Sequence, residues 1–349
     1  MQATPAPTAA VPRETARPTA STLASVIARV LPILTVAALA AAAFYIKPTA
    51  KVLTVEVPAI ETRDRFYGAA RLPDGALMLA GSRGKIVRSV GDTGTWKVLK
   101  TGVAVDLQDV VSLPAGGAVA VGDDGTVIAT ADNGDRWHRV DAGTAFKGVK
   151  LLRLALAPAG GLWTVGERGL LARSNDQGAS WQVVGTGEEA TYNAIAFADA
   201  GHGVVVGEFG AVLLTSDGGR TWRRGKAPGE ISLMAVAFGD AGAGVAVGLD
   251  GTVMTTTDRG ESWNVLTGVR REHLFGVAWR GAEWIAVGEK GVVLRGDATA
   301  VREVHGPGEI GGGWRVAVLP TPEGLVAAGA EPGLIDGTSW KPFAAAPRG

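Results

Sequence analysis

Downstream of residue 60 the apolar positions come in short runs, and each run ends in a turn rich in Gly and Asp. The stretch from Tyr192 shows the unit. Residues 193–197 (NAIAF) form an apolar run, 199–202 carry turn chemistry, and 203–206 (GVVV) form a second run. Residues 207–210 turn the chain into a third run, 211–215; 216–219 turn it again, and 221–224 begin a fourth. Runs this short between Gly- and Asp-rich turns predict antiparallel strands. The second and third are apolar at successive positions, the pattern of a sheet covered on both faces.

The unit repeats. A G-x-x-G turn occurs at Gly81/Gly84, Gly122/Gly125, Gly166/Gly169, Gly207/Gly210, Gly248/Gly251 and Gly288/Gly291, with a stretched copy at Gly329/Gly333. The steps between first glycines are 41, 44, 41, 41, 40 and 41 residues. A period near 40 with four strands per unit predicts an all-β, seven-bladed β-propeller with four-stranded antiparallel blades. First strands are expected near Tyr67, Gln108, Val149, Asn193, Met234, Phe275 and Arg315. A further apolar run, 51–57, is expected to pair with the outer edge of the last blade near Trp340 and so close the ring.

The first 50 residues have a different character. Residues 1–22 are Ala-, Pro- and Thr-rich and read as disordered. Residues 30–46 carry no charge and lie between Arg29 and Lys47. As a helix they would extend roughly 25 Å, the short end of a bilayer core. The expected organisation is a cytoplasmic tail (1–29), a single transmembrane signal anchor (30–46) and a propeller (51–343). Arg13, Arg17 and Arg29 upstream balance Lys47, Lys51 and Arg63 downstream, so flanking charge does not orient the span. A short tail, one span and a large domain resemble a bacterial signal anchor. The expectation is an inner-membrane protein with its propeller in the periplasm.

Composition narrows the function. Lys plus Arg equals Asp plus Glu at 34 each, with no basic run, which disfavours nucleic acid. The absence of cysteine excludes disulfides, thiolate metal sites, a cysteine nucleophile and a lipid-modified N-terminal cysteine. His138, His202, His273 and His305 show no metal-ligand spacing, and no cofactor motif is present. The G-x-x-G turns lack the lysine and strand–helix context of a phosphate loop.

The turn between third and fourth strands carries Ser/Thr-x-Asp-x-Gly-x-Ser/Thr-Trp. Three copies are complete, with Asp176/Trp181, Asp217/Trp222 and Asp258/Trp263; a fourth, Asp132/Trp137, has Arg136 in place of the last hydroxyl. The first unit has Asp92 and Gly94 shifted by one, the last is shortened around Trp340, and the sixth has Val304 at the expected Trp position. The motif reads as structural: the carboxylate binds N–H groups of its own turn, Gly supplies positive φ, and Trp buries its ring.

This motif resembles that of the BNR/Asp-box propellers. Together with G-E-x-G-x-[VL]-L it resembles the photosystem II stability/assembly factor family across residues 52–343. The resemblance implies a non-enzymatic, monomeric seven-bladed propeller that binds an integral membrane protein or complex during assembly; the client could be a transporter as well as a photosystem. The family's arginine-rich binding patch has no match by position. The alternative is an Asp-box glycosidase of the sialidase type, which needs an arginine triad beside a tyrosine and a glutamate. Tyr67, Tyr192 and Glu189 offer part of that set, with no triad recognisable.

Second-to-third turns and inter-blade connections share one face of a propeller. Here the turns carry Arg83, Asp123, Asp124, Glu167, Arg168, Glu208, Asp250, Glu289, Lys290 and Glu331. The connections add Glu188, Glu189, Arg270, Arg271, Glu272 and His273, and Arg65 and Arg315 fall near first-strand starts. Such a face selects a protein segment by charge complementarity. The expected contacts are Arg270 and Arg271 first, since arginine binds carboxylates bidentately, then Arg83, Arg168, Arg315 and Arg65.

Overall fold

A computed structural model describes residues 20–45, 58–91, 94–185, 189–306, 308–337 and 339–343. The run 51–57, Asp92 and Glu188 lie outside the described residues. The chain divides into two units, 1–56 and 57–349.

In the first unit a helix runs from Ala20 to Tyr45. It begins ahead of Val30, takes in Arg29 and holds Pro32. Helix therefore starts inside the stretch whose composition suggested disorder. Residues Ala24–Tyr45 have a mean hydropathy of 2.2, long and apolar enough to cross a bilayer by length and composition.

The second unit is a seven-bladed propeller. Seven four-stranded sheets follow one another at residues 66–99, 107–139, 151–183, 192–224, 233–265, 274–305 and 315–342. Every sheet is antiparallel, with strands in chain order. Each first strand neighbours the first strands of both adjacent blades, including those of blades one and seven, so the ring is closed.

Seven hydrophobic clusters hold the ring, one at each junction. The period-2 pleat explains the apolar runs. Ala118 and Ala120 face blade one, while Val119 and Val121 of the same strand face blade three. Ala246 faces blade four, while Val245 and Val247 face blade six. At the seam between last and first blades, Phe66, Leu79 and Val87 pack on Val326, Ala328 and Leu334. Trp96 meets Phe343 at 4.9 Å, and Tyr67 stacks on Trp314 at 5.6 Å.

The Asp boxes of blades two to five seat each of those blades on the preceding one. Asp176 Oδ1 accepts from Ser174 Oγ (2.7 Å) and Ser180 N (2.9 Å), while Ser174 Oγ accepts Gly178 N (2.8 Å). The boxes of Asp217 and Asp258 repeat these bonds. In the fourth copy Arg136 Nε donates to Asp132 Oδ2 at 2.9 Å, replacing the missing hydroxyl. Glycine is required here on two counts. Gly219 has φ +85°, and a Cβ there would lie 2.3 Å from the Trp163 ring of blade three. Trp137, Trp181, Trp222 and Trp263 then pack into the junctions on their preceding blades.

Blade six corrects one expectation. Val304 packs toward blade seven, and Val301 occupies the junction with blade five. The volume of the lost indole is supplied by Trp284, fully buried and donating to Asp297 O at 2.7 Å, and by Trp279 against Gly239.

The boxes contribute to the acid limb of stability. Hydrogen bonds from the Arg136 backbone and guanidinium hold Asp132 at about 2. The Ser180 hydroxyl and backbone, and those of Thr221, hold Asp176 and Asp217 at about 2. A carboxyl depressed below its ordinary 3.8 contributes stability above that value, and the contribution is lost as pH falls toward 2. Urea midpoints measured from pH 5 to 2 will fall most steeply between about 4 and 2, and Asp176→Asn will make that fall shallower. An unchanged slope in the variant would contradict the assignment.

Candidate interaction face and central channel

The inner strands build the channel. In every blade the pairing of first and second strands slips by one residue near the start of the first strand, at Tyr67, Gln108, Leu152, Asn193, Met234, Phe275 and Val316. A bulge re-aims the residue it contains. These seven side chains, with Arg153, line a single cavity of about 130 Å³.

Arg153 closes it. From blade three its Nη2 donates to Val316 O of blade seven (2.8 Å), and its Nη1 to Leu152 O (3.2 Å) and Gln108 O (3.4 Å). Beside it Asp109 accepts from Leu154 N and Val110 N, both at 2.9 Å. Desolvation pushes the Asp109 pKa up, and Arg153 pulls it down. The cavity lies below the roughly 300 Å³ at which small-molecule pockets begin. The glycosidase set does not assemble there. Tyr192 is fully buried, and Tyr67 lies against Trp314 with its hydroxyl 3.4 Å from Asp106 Oδ2. Among the described residues Arg153 is the one arginine lining the cavity.

Around the mouth lie the G-x-x-G turns and the connections. Gly125 N bonds to Val149 O, Gly169 N to Ala190 O and Gly210 N to Ile231 O, so turn and connection share a face. The Asp-box turns lie on the other face, beside the first-to-second turns: Gly218 N bonds to Gly201 O and Arg259 N to Gly242 O. The turns are tight because a Cβ on either glycine would strike backbone. On Gly251 it would lie 1.5 Å from Arg270 O, and on Gly207 2.1 Å from Thr191 O. The residue before the second glycine is left-handed in Arg83, Asp124, Arg168, Phe209, Asp250 and Lys290, with φ between 52° and 56°.

With this geometry in hand, comparison with known proteins is informative. No family model and no curated protein matches the chain. Among solved structures it is similar to YCF48 bound to D1 peptide, with TM-score 0.64 and 17% identity over 77% of this chain and 90% of that one. YCF48 from Cyanidioschyzon merolae gives 0.61 and 14%, over 77% and 94%. The chain is an Asp-box seven-bladed propeller resembling YCF48. It is also similar to a catalytically inactive virginiamycin B lyase from Staphylococcus aureus with quinupristin, with TM-score 0.68 and 12% identity over 78% and 94%. Identities this low establish the shared fold.

The six arginines singled out by sequence separate into distinct environments. Arg315 is fully buried: it lies 4.3 Å from the Trp340 ring, donates to Ile310 O at 2.6 Å, and burial lowers its pKa to about 10. Its expected surface position is therefore corrected. Arg65 is half-buried and donates to the carbonyls of Thr62 and Asp64. Arg270 pairs with Glu303, and Arg83 with Asp64 at 3.4 Å. Arg168 and Arg271 are exposed, without an ion pair among the described residues. Sequence reasoning overlooked Phe209, the most exposed large apolar side chain of the described propeller, at 78%.

Proposed function

We propose that this chain is a membrane-tethered interaction propeller that holds a segment of an integral membrane protein or complex on its turn-and-connection face, in the manner of an assembly or stability factor. The observation that carries the reading is that face. It is built on a closed ring, and it presents an exposed aromatic side chain, Phe209, beside Arg168 and Glu208, which form no ion pair among the described residues. The channel behind it is small and crossed by Arg153. The likeness to YCF48 bound to D1 peptide supports reading this propeller as a peptide-binding module. Arg168 and Arg271 are the arginines of the original set free to contact a client.

The helix Ala20–Tyr45 supplies the tether. In this reading it spans the inner membrane, with the tail in the cytoplasm and the propeller in the periplasm. The chain lacks cysteine, so single cysteines report topology cleanly. An impermeant maleimide added to cells with a permeabilised outer membrane will label Ala200→Cys and spare Ala6→Cys. The reverse pattern, or release of the full-length protein by alkaline carbonate, would contradict the tether.

A further inference from the structure

We infer that the turn face over blades three to five is a docking surface for a cationic segment carrying an apolar anchor, a deeper statement that rests on the interaction reading above. Phe209 occupies the left-handed slot that Arg83, Asp124, Arg168, Asp250 and Lys290 fill in other blades, and it is the one apolar residue among them. Its backbone is tied to the next connection through Gly210 N–Ile231 O (3.1 Å) and Phe209 N–Ser232 Oγ (3.2 Å). Ile231 in that connection is itself 38% exposed. Both expose apolar surface on neighbouring loops of the face, which a client side chain would cover.

The charges around the pair select the client. Glu167, Glu189, Glu208 and Glu230 form no ion pair or side-chain hydrogen bond among the described residues. Asp250 is exposed, and among the described residues its carboxylate meets only His273, at 3.9 Å. These five acids run along consecutive turns and connections on either side of Phe209. Arg168 stands at one end and Arg271 at the other. Between them Lys226 follows the outermost strand of blade four, while Arg223 is paired with Glu261 and Arg270 with Glu303. Complementarity therefore favours lysines or arginines flanking an apolar residue, with the end arginines confining them between blades three and five. Anionic lipid headgroups would be repelled from the same arc, which points to a protein segment as occupant.

The test uses detergent-extracted full-length protein and labelled synthetic peptides followed by fluorescence anisotropy. One peptide carries Leu-Phe between lysine triplets, one replaces the lysines by glutamates, and one keeps the lysines without Leu-Phe. The first should bind most tightly, with affinity falling as salt rises. Phe209→Asn should weaken it about tenfold or more. Asn tolerates left-handed φ, so the melting midpoint should hold or rise. Glu208→Gln with Glu230→Gln should weaken binding about tenfold and flatten its salt dependence. Equal or tighter binding of the glutamate peptide, or unchanged binding by Phe209→Asn, overturns the inference. Self-association that disappears in Phe209→Asn would overturn it in favour of a second copy as occupant. If the lysine peptide fails while one membrane protein co-purifies equally with wild type and Phe209→Asn, this inference falls and the interaction reading stands. If none co-purifies with wild type, that reading falls as well.

Discussion

Replacing Arg153 by methionine will destabilise the propeller by about 1–3 kcal/mol, the usual cost of leaving buried acceptors without their charged donor. The guanidinium reaches the Val316 carbonyl across the channel and is the counter-charge for Asp109. Without it the Asp109 carboxylate keeps two backbone N–H donors and loses its cation. Desolvation already raises the Asp109 pKa above its ordinary 3.8, and the substitution raises it further. A carboxyl with a raised folded-state pKa penalises folding above that pKa. The penalty fades as pH falls toward the unfolded value. The difference between wild type and variant in urea unfolding should therefore shrink on acidification from pH 7 toward 4. Asp109→Asn in the Arg153→Met background should recover much of the loss. A deficit that is independent of pH, or below about 1 kcal/mol, would show that Arg153 is not the counter-charge that Asp109 depends on.

The second large effect belongs to the junction of blades three and four. Trp163 is fully buried there, edge-on to Trp222 at 5.6 Å and 5.8 Å from Phe197. Trp163→Ala should cost about 3–5 kcal/mol in cavity and lost transfer energy. Gly219→Ala should cost about 2–5 kcal/mol, because it combines a left-handed alanine with a methyl driven into the indole. The two substitutions share one cause. With Trp163 removed the methyl has space, and only the backbone cost of about 1–2 kcal/mol remains. The double variant should thus lose less than the sum of the singles by about 1–3 kcal/mol in urea unfolding. Strict additivity would mean that the Asp-box glycine does not seat on the preceding blade.

Much of this architecture could be read from the chain. The G-x-x-G period records a real constraint, since Gly81, Gly122, Gly166, Gly207, Gly248 and Gly288 all lie where a Cβ would strike the backbone of a neighbouring strand or connection. The alternation of small and branched residues in the second strands likewise records two different neighbours. The channel was harder to read. A bulge leaves no residue signature, so the sequence did not reveal which first-strand positions turn inward. One signal was present: Arg153 and Asp109 are charges within otherwise uncharged inner strands. Arg315 and Arg65 were misplaced because their partners, Trp340 and Ala330, are distant in sequence or belong to another blade. In blade six Trp284 and Trp279 fill from other strands the junction that a box Trp fills elsewhere, an arrangement visible only once the blades are stacked. Phe209 carried no periodic signal, because a lone aromatic in a turn reads as incidental until its exposure is known.

The central claim is that one face of this ring holds a membrane-protein client. Site-specific photo-crosslinking in native membranes tests it most directly. A photoreactive residue at Ile231, on the turn face, is compared with one at Ala200, exposed on the opposite face. The account predicts a discrete adduct with one integral membrane protein from position 231 and none from position 200. No adduct from position 231, or the same adducts from both positions, would contradict it.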